Sequence, residues 1–297
     1  MTVPYWVQDA VFYQIFPDRF ADGDPRNNPP NVRPWDAPPS ITGFHGGDLR
    51  GIIGHLDYLL DLGINAIYLN PIFQSASTHR YNTSDYYRID PKLGDERDFN
   101  TLLDAAHHIG IRVVLDGVFN HCGRGFFAFN DLLENQEHSP YKDWFTVYNY
   151  PIDAYSQGDA RDFAAWWKFK SLPKFNTANP AVRRYLLGVA RYWIDRGIDG
   201  WRLDVPNEID DDAFWAEFRE TVRADNPDAY LLGEIWDINP RWANDTHFDG
   251  LMNYPLRTSL LGYINGKVTA PQFADAVDHL LEAYPRENTH AMYLTLG

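Results

Sequence analysis

A single cysteine, Cys122, stands in 297 residues, so neither an internal disulfide framework nor a cysteine zinc cluster can form. No run of about 18 apolar residues occurs, which leaves no segment able to span a membrane as a helix. Met1–Ala10 has neither a basic start nor an unbroken apolar stretch; no signal peptide is visible, and a cytoplasmic location is the default expectation. Basic residues are few. The 26 Lys and Arg against 41 Asp and Glu leave a formal charge of −15, which argues against nucleic acid or an anionic membrane surface as partner. Internal repeats, low-complexity tracts and charge blocks are also absent, and the one proline-rich stretch, Pro25–Pro39, reads as a surface loop.

What remains is ample material for a core, with 44% hydrophobic residues arranged as short apolar runs alternating with helical periodicity. Strands are expected at Val11–Phe16, Ile64–Leu69, Ile111–Leu115, Ile198–Leu203, Tyr230–Gly233, Phe248–Met252 and Ala291–Leu296. Between them, helical stripes begin at Leu49, Phe99, Val182, Phe214 and Phe273, the third opening at Asn179-Pro180 as cap and first position. That rhythm is the signature of an α/β fold with a parallel sheet. It breaks from His121 to Asn179, a stretch too long for a structureless loop and so expected to be an inserted subdomain. The expected organisation is 1–120 and 180–297 as one barrel with 121–179 inserted.

Four motifs close consecutive expected strands: D-G-V-F-N-H at Asp116–His121, L-P-K-F-N at Leu172–Asn176, G-W-R-L-D-V-P-N-E at Gly200–Glu208 and G-E-I-W at Gly233–Trp236. Chemistry in a parallel β/α barrel sits at strand C-termini. Arg202 and Asp204, two apart in a strand, face the same side, and a guanidinium there is expected to keep the carboxylate ionised as a nucleophile requires. Glu234 closes the next strand, about 4.8 Å away, which suits the ~5–5.5 Å carboxylate spacing of a retaining glycosidase. The competing reading is a structural Arg–Asp pair with a rim glutamate.

The order of these motifs resembles the α-amylase family, glycoside hydrolase family 13, and within it the cyclomaltodextrinase, neopullulanase and maltogenic amylase branch. The resemblance implies a (β/α)8 TIM-type barrel with domain B inserted after strand three. It further implies retaining cleavage of α-1,4-glucosidic bonds, with α-1,6 cleavage or transglycosylation in addition, in maltooligosaccharides, cyclodextrins or pullulan. Asp204 would be the nucleophile and Glu234 the acid/base. His121 would hydrogen-bond the sugar, Tyr81 in H-R-Y-N-T-S-D-Y would stack on it, and Asp116 and Asn120 would brace the loop. Asn207, Glu208 and Trp236 would lie toward the leaving group, where Pro206 replaces the branch's usual alanine.

No organic cofactor is implied. A structural Ca²⁺ is, on Asp22, Asp24, Asn27, Asn28, Gly46 and Asp48, whose hard oxygens suit that ion; the alternative is a solvated turn held by Asx hydrogen bonds. His107 and His108, between apolar residues on a helix, read as structural. The family's third catalytic carboxylate belongs to a His-Asp motif after strand seven, where this sequence ends in L-T-L-G, so the last βα unit is expected to be missing. Two alternatives therefore accompany a working enzyme: an inactive truncated fragment and a noncatalytic carbohydrate-binding relative. The oligomeric state is left open.

Overall fold

The computed structural model describes residues 3–38 and 40–295. Six parallel strands form the main sheet: β1 (Phe12–Ile15), β2 (Ala66–Leu69), β5 (Arg112–Gly117), β6 (Gly200–Leu203), β7 (Tyr230–Gly233) and β8 (Gly250–Leu251). Their order across the sheet is their order in the chain, so each crossover lays a strand beside its predecessor. This is how a barrel wall is built. A parallel bridge between Met252 and Tyr293 continues the series. The strand expected at Ala291–Leu296 is reduced to that bridge, and Leu296 lies outside the described residues.

Two helices, α1 (Leu49–Ile53) and α2 (Leu56–Asp61), replace the single one expected after β1, because the chain breaks at Gly54 and His55. Helix α3 (Glu96–His108) starts in a capping box of Asp95 and Asp98, and α5 (Pro180–Ile194) starts on the Asn179 side chain with proline in its first turn. Helix α4 (Phe127–Asn135) lies in the segment after β5, followed by short turns and the antiparallel bridges Phe145–Phe175 and Val147–Phe163. After β6 come α6 (Asp212–Asp225) and, beyond β8, α7 (Tyr254–Ile264), α8 (Ala270–Ala283) and α9 (Arg286–His290).

The sequence reading missed an antiparallel hairpin, β3 (Phe73–Ser75) with β4 (Thr83–Ile89). Register shifts on either side of Gln74 disturb the pairing, so the alternation that marks a half-buried strand is blurred. The hairpin matters because its connection carries Tyr81.

Two cores flank the sheet. Outside it, Trp193 of α5 stacks on Phe73 at 4.9 Å, meets Phe99 of α3 edge-on at 5.2 Å and donates its indole N–H to the Tyr86 carbonyl. Complete burial of such an apolar side chain contributes roughly 1.5–3 kcal/mol. Inside the curve, Phe12, Tyr230, Leu232, Met252 and Tyr293 pack together, with Phe12 and Tyr293 meeting edge-on at 5.4 Å. Side chains fill the lower interior, and the polar site sits at the strand C-termini above them.

Candidate active site

Parallel register does the first part of the assembly. Asp116 of β5 lies opposite Arg202 of β6, and Leu203 opposite Gly233, so Asp204 and Glu234 leave their strands at the same level. Backbone bonds hold that level, with Asp204 N–H on the Gly117 carbonyl at 3.1 Å and Glu234 N–H on the Leu203 carbonyl at 3.0 Å.

Arg202 is the hub. Its Nη1 lies 2.9 Å from Asp116 Oδ1 and 3.1 Å from Asp204 Oδ1, and its Nη2 lies 2.8 Å from Glu234 Oε1. Such a fork can orient three carboxylates at once. Asp116 also accepts hydrogen bonds from the hydroxyls of Tyr68 and of Tyr81, the latter at 2.9 Å. Asn70 donates to Tyr81 Oη at 3.1 Å and is itself held by Gln14 of β1 at 3.0 Å. Glu234 receives two further bonds: Val205 N–H on Oε2 at 3.1 Å and Tyr254 Oη on Oε1 at 3.4 Å.

One electrostatic expectation is corrected here. Arg202 was expected to keep Asp204 readily ionised. Burial instead pushes the Asp204 carboxyl well above the usual carboxylate range, and the charges of Asp116 and Glu234 add to the rise against Arg202. One guanidinium serves three acids, and burial penalises their charge. Burial lifts Asp116 too, opposed by Arg202 and the two phenols.

His121 takes the opposite course. Burial lowers its imidazole to about 3, so it is neutral at any working pH. Asn120 Nδ2 donates to its Nδ1 at 3.1 Å, and its Nε2–H, in the tautomer this network requires, meets the Tyr81 carbonyl at 3.1 Å. Its ring stacks on Trp166 at 5.5 Å.

A cavity of about 930 Å³ opens over these groups and is lined in part by Tyr81, His121, Trp166, Asp204, Glu234 and Trp236. Asn207 and Glu208 are not brought into it. Asn207 is exposed, and Glu208 pairs with Lys174 at 2.8 Å beside a second cavity of about 480 Å³. The short helical turn at Pro206–Glu208 carries both away from the rim. Sequence reasoning missed Tyr68, Asn70, Gln14 and Tyr254. The first three belong to strands or their ends, where the available signal was a polar side chain among apolar neighbours.

The six residues expected to hold a cation divide into two groups. Asp22 Oδ1, Asn27 Oδ1 and Asn28 Oδ1 are buried with no hydrogen-bond partner, and a side chain at Gly46 would strike Asn28 Oδ1. Orphaned oxygens at one loop fit a hard cation. Asp24 and Asp48 are committed elsewhere. Asp24 is gripped by Arg26, which holds its carboxyl at about 2, while Asp48 caps α1 through Gly51 N–H and accepts from Gly23, Asp24 and Asn27. Among the described residues no group of three His, Cys, Asp or Glu forms a metal cluster.

The chain that carries this carboxylate pair, gripped by one arginine at neighbouring strand ends, matches the α-amylase catalytic domain model across residues 14–295. The chain belongs to that family. A cyclomaltodextrinase of Geobacillus thermopakistaniensis is 50% identical over 297 residues, covering 99% of this chain and 50% of the relative. Neopullulanase 2 of Thermoactinomyces vulgaris is 46% identical over 295 residues, 98% of this chain and 50% of the relative. The solved cyclic α-maltosyl-(1→6)-maltose hydrolase of Arthrobacter globiformis, in complex with cyclic α-maltosyl-(1→6)-maltose, superposes with a TM-score of 0.96 at 44% identity, over 100% of this chain and 66% of the other. This α-amylase domain spans about half the length of the curated relatives it matches. No described helix is long and apolar enough to cross a membrane.

Proposed function

We propose that the protein is a retaining α-glucan hydrolase. The reactive form has Asp204 as the carboxylate beside Arg202 and the proton on Glu234: Asp204 attacks the anomeric carbon while Glu234 gives that proton to the departing glycosidic oxygen, leaving a glycosyl ester on Asp204. Glu234 then takes a proton from water, whose oxygen attacks the same carbon and frees Asp204; a sugar hydroxyl in place of water gives transfer. The observation that carries this reading is the grip of Arg202 on Asp116, Asp204 and Glu234 at the floor of an aromatic cavity. Neutral His121 and the Tyr81 ring, both lining that cavity, suit contact with an uncharged sugar.

The substrates proposed are maltooligosaccharides, cyclodextrins and pullulan, with α-1,4 linkages first and α-1,6 second. Support comes from relatives named for cyclomaltodextrin and pullulan, and from the neighbour bound to a maltosyl-(1→6)-maltose ring. A structural Ca²⁺ on Asp22, Asn27 and Asn28 is part of the proposal, supported by their unpartnered oxygens; when bound it supplies charge that ties the loop together. A cytoplasmic site of action is proposed as well, in keeping with the unpaired Cys122.

The test is reducing-sugar release from β-cyclodextrin, maltotriose and pullulan by the purified chain beside its Asp204→Asn variant, with the anomer of the first product read by NMR. Activity absent from the variant and an α-product appearing first support the reading. Equal background from both proteins sinks it.

A further inference from the structure

The segment between Ala165 and Pro173 holds a tryptophan in a position that folding alone does not explain. Trp167 is 59% exposed, one of the most exposed large apolar side chains among the described residues. Its backbone is left-handed at φ 47°, ψ 29°, and Lys168 after it also has a positive φ of 62°. Two consecutive bulky residues there are disfavoured, since Cβ crowds the neighbouring carbonyl. The surrounding main chain forces the turn: Lys168 N–H donates to the Ala165 carbonyl, Phe169 N–H to that of Trp166, and Ala160 N–H to that of Lys168.

The product of that strain is an ordered surface. Trp167 stacks on Trp166 at 4.8 Å with only 11° between the planes, and Trp166 stacks in turn on His121. Trp236, two residues past Glu234, meets Trp167 edge-on at 5.9 Å. Trp166 and Trp236 line the cavity, whereas Trp167 stands beyond its mouth with most of its surface open to water. An exposed indole, fixed in place and continuous with a cavity wall, suits the apolar face of a pyranose ring, whose hydroxyls stay hydrated at the edge.

We propose that Trp167 is an outer sugar platform that engages a glucosyl unit lying outside the cavity, and so sets the protein's preference for longer glucans over short ones. The proposal rests on the α-glucan reading of the site. It goes beyond that reading by making chain-length preference a property of one residue remote from the reacting atoms.

The test is calorimetric titration of maltose, maltotriose and maltohexaose into the Asp204→Asn chain, with Trp167 intact and replaced by Ala or Phe. Loss of the platform should weaken maltohexaose about tenfold or more, leave maltose within about twofold, and be largely rescued by Phe. Equal weakening at every length would mark Trp167 as a structural residue and overturn the proposal. Unchanged binding at every length would overturn it too, including the case where Trp167→Ala alters only the oligomeric state. If no glucan binds even with Trp167 intact, the α-glucan reading itself fails.

Discussion

Val205, the residue after Asp204, donates its backbone N–H to Glu234 Oε2 at 3.1 Å from a left-handed conformation of φ 35°, ψ 53°. A β-branched residue ahead of proline is poorly suited to that region, so the link between the two acids stores strain on the order of 1–3 kcal/mol. The same bond fixes Oε2 as an acceptor and so sets the orientation of the Glu234 carboxyl group.

If Glu234 is the proton donor, Glu234→Gln keeps the acceptor for Val205 and removes the proton. We expect kcat on maltotriose to fall by about 10²–10⁴-fold. The loss should be much smaller on an aryl glucoside whose leaving group departs without protonation, as read by initial rates on both substrates. Equal losses on the two would refute the acid role.

The raised carboxyl of Asp204 has a consequence for stability. Its proton is held more tightly in the folded chain than in the unfolded one, so its contribution is fully present below the ordinary carboxylate range and is lost as pH rises through the folded value. Asp204→Asn removes that loss. At pH 7 the variant should melt higher, by about 2–4 °C for each kcal/mol regained, and near pH 3.5 the advantage should vanish. A variant that melts lower at pH 7 would show that Arg202 depends on Asp204 more than burial penalises it.

His107 of α3 was read as structural, and its Nε2 lies 2.7 Å from Asp199, which also pairs with Arg112 and accepts Val113 N–H. The hydrogen bond to Asp199 raises the imidazole above its ordinary value, so the added stability is present below about 6.5 and lost as pH climbs past the folded value. His107→Gln should therefore lower the melting temperature at pH 6 and matter less at pH 9. The half-exposed ring limits the effect to about 1 kcal/mol or less. A difference constant with pH would assign His107 to packing alone.

Ca²⁺ at a hundredfold excess over its dissociation constant should stabilise the chain by about 2.7 kcal/mol. Chelation should reverse this, and Asp22→Ala should abolish the response. Melting curves that ignore both calcium and chelator would leave the loop as a network of Asx turns.

Much of this architecture was legible because a parallel sheet buries both faces of each strand, so β2 and β7 stand out as apolar runs. Helix α5 was marked at its start by Asn179-Pro180. The hairpin β3–β4 was illegible for the opposite reason: short, shifted in register and partly exposed, it carries no clean period. At the site, motifs identified the acids, but the phenols of Tyr68 and Tyr254 come from segments read only as apolar strand or connection. Which carboxylate bears a proton depends on how many acids share Arg202, and that number exists only once three strands are side by side.

Strand order that copies chain order also governs how the protein comes into being. Each main-sheet strand after β1 pairs with the main-sheet strand that precedes it in the chain, so a chain leaving the ribosome can add one strand at a time to a growing edge. Asp116, Arg202 and Glu234 lie on or just beyond three successive strands of that series. The arginine that reconciles the acids is thus made between them, after the first and before the last, and no two of the buried carboxylates need ever meet without it.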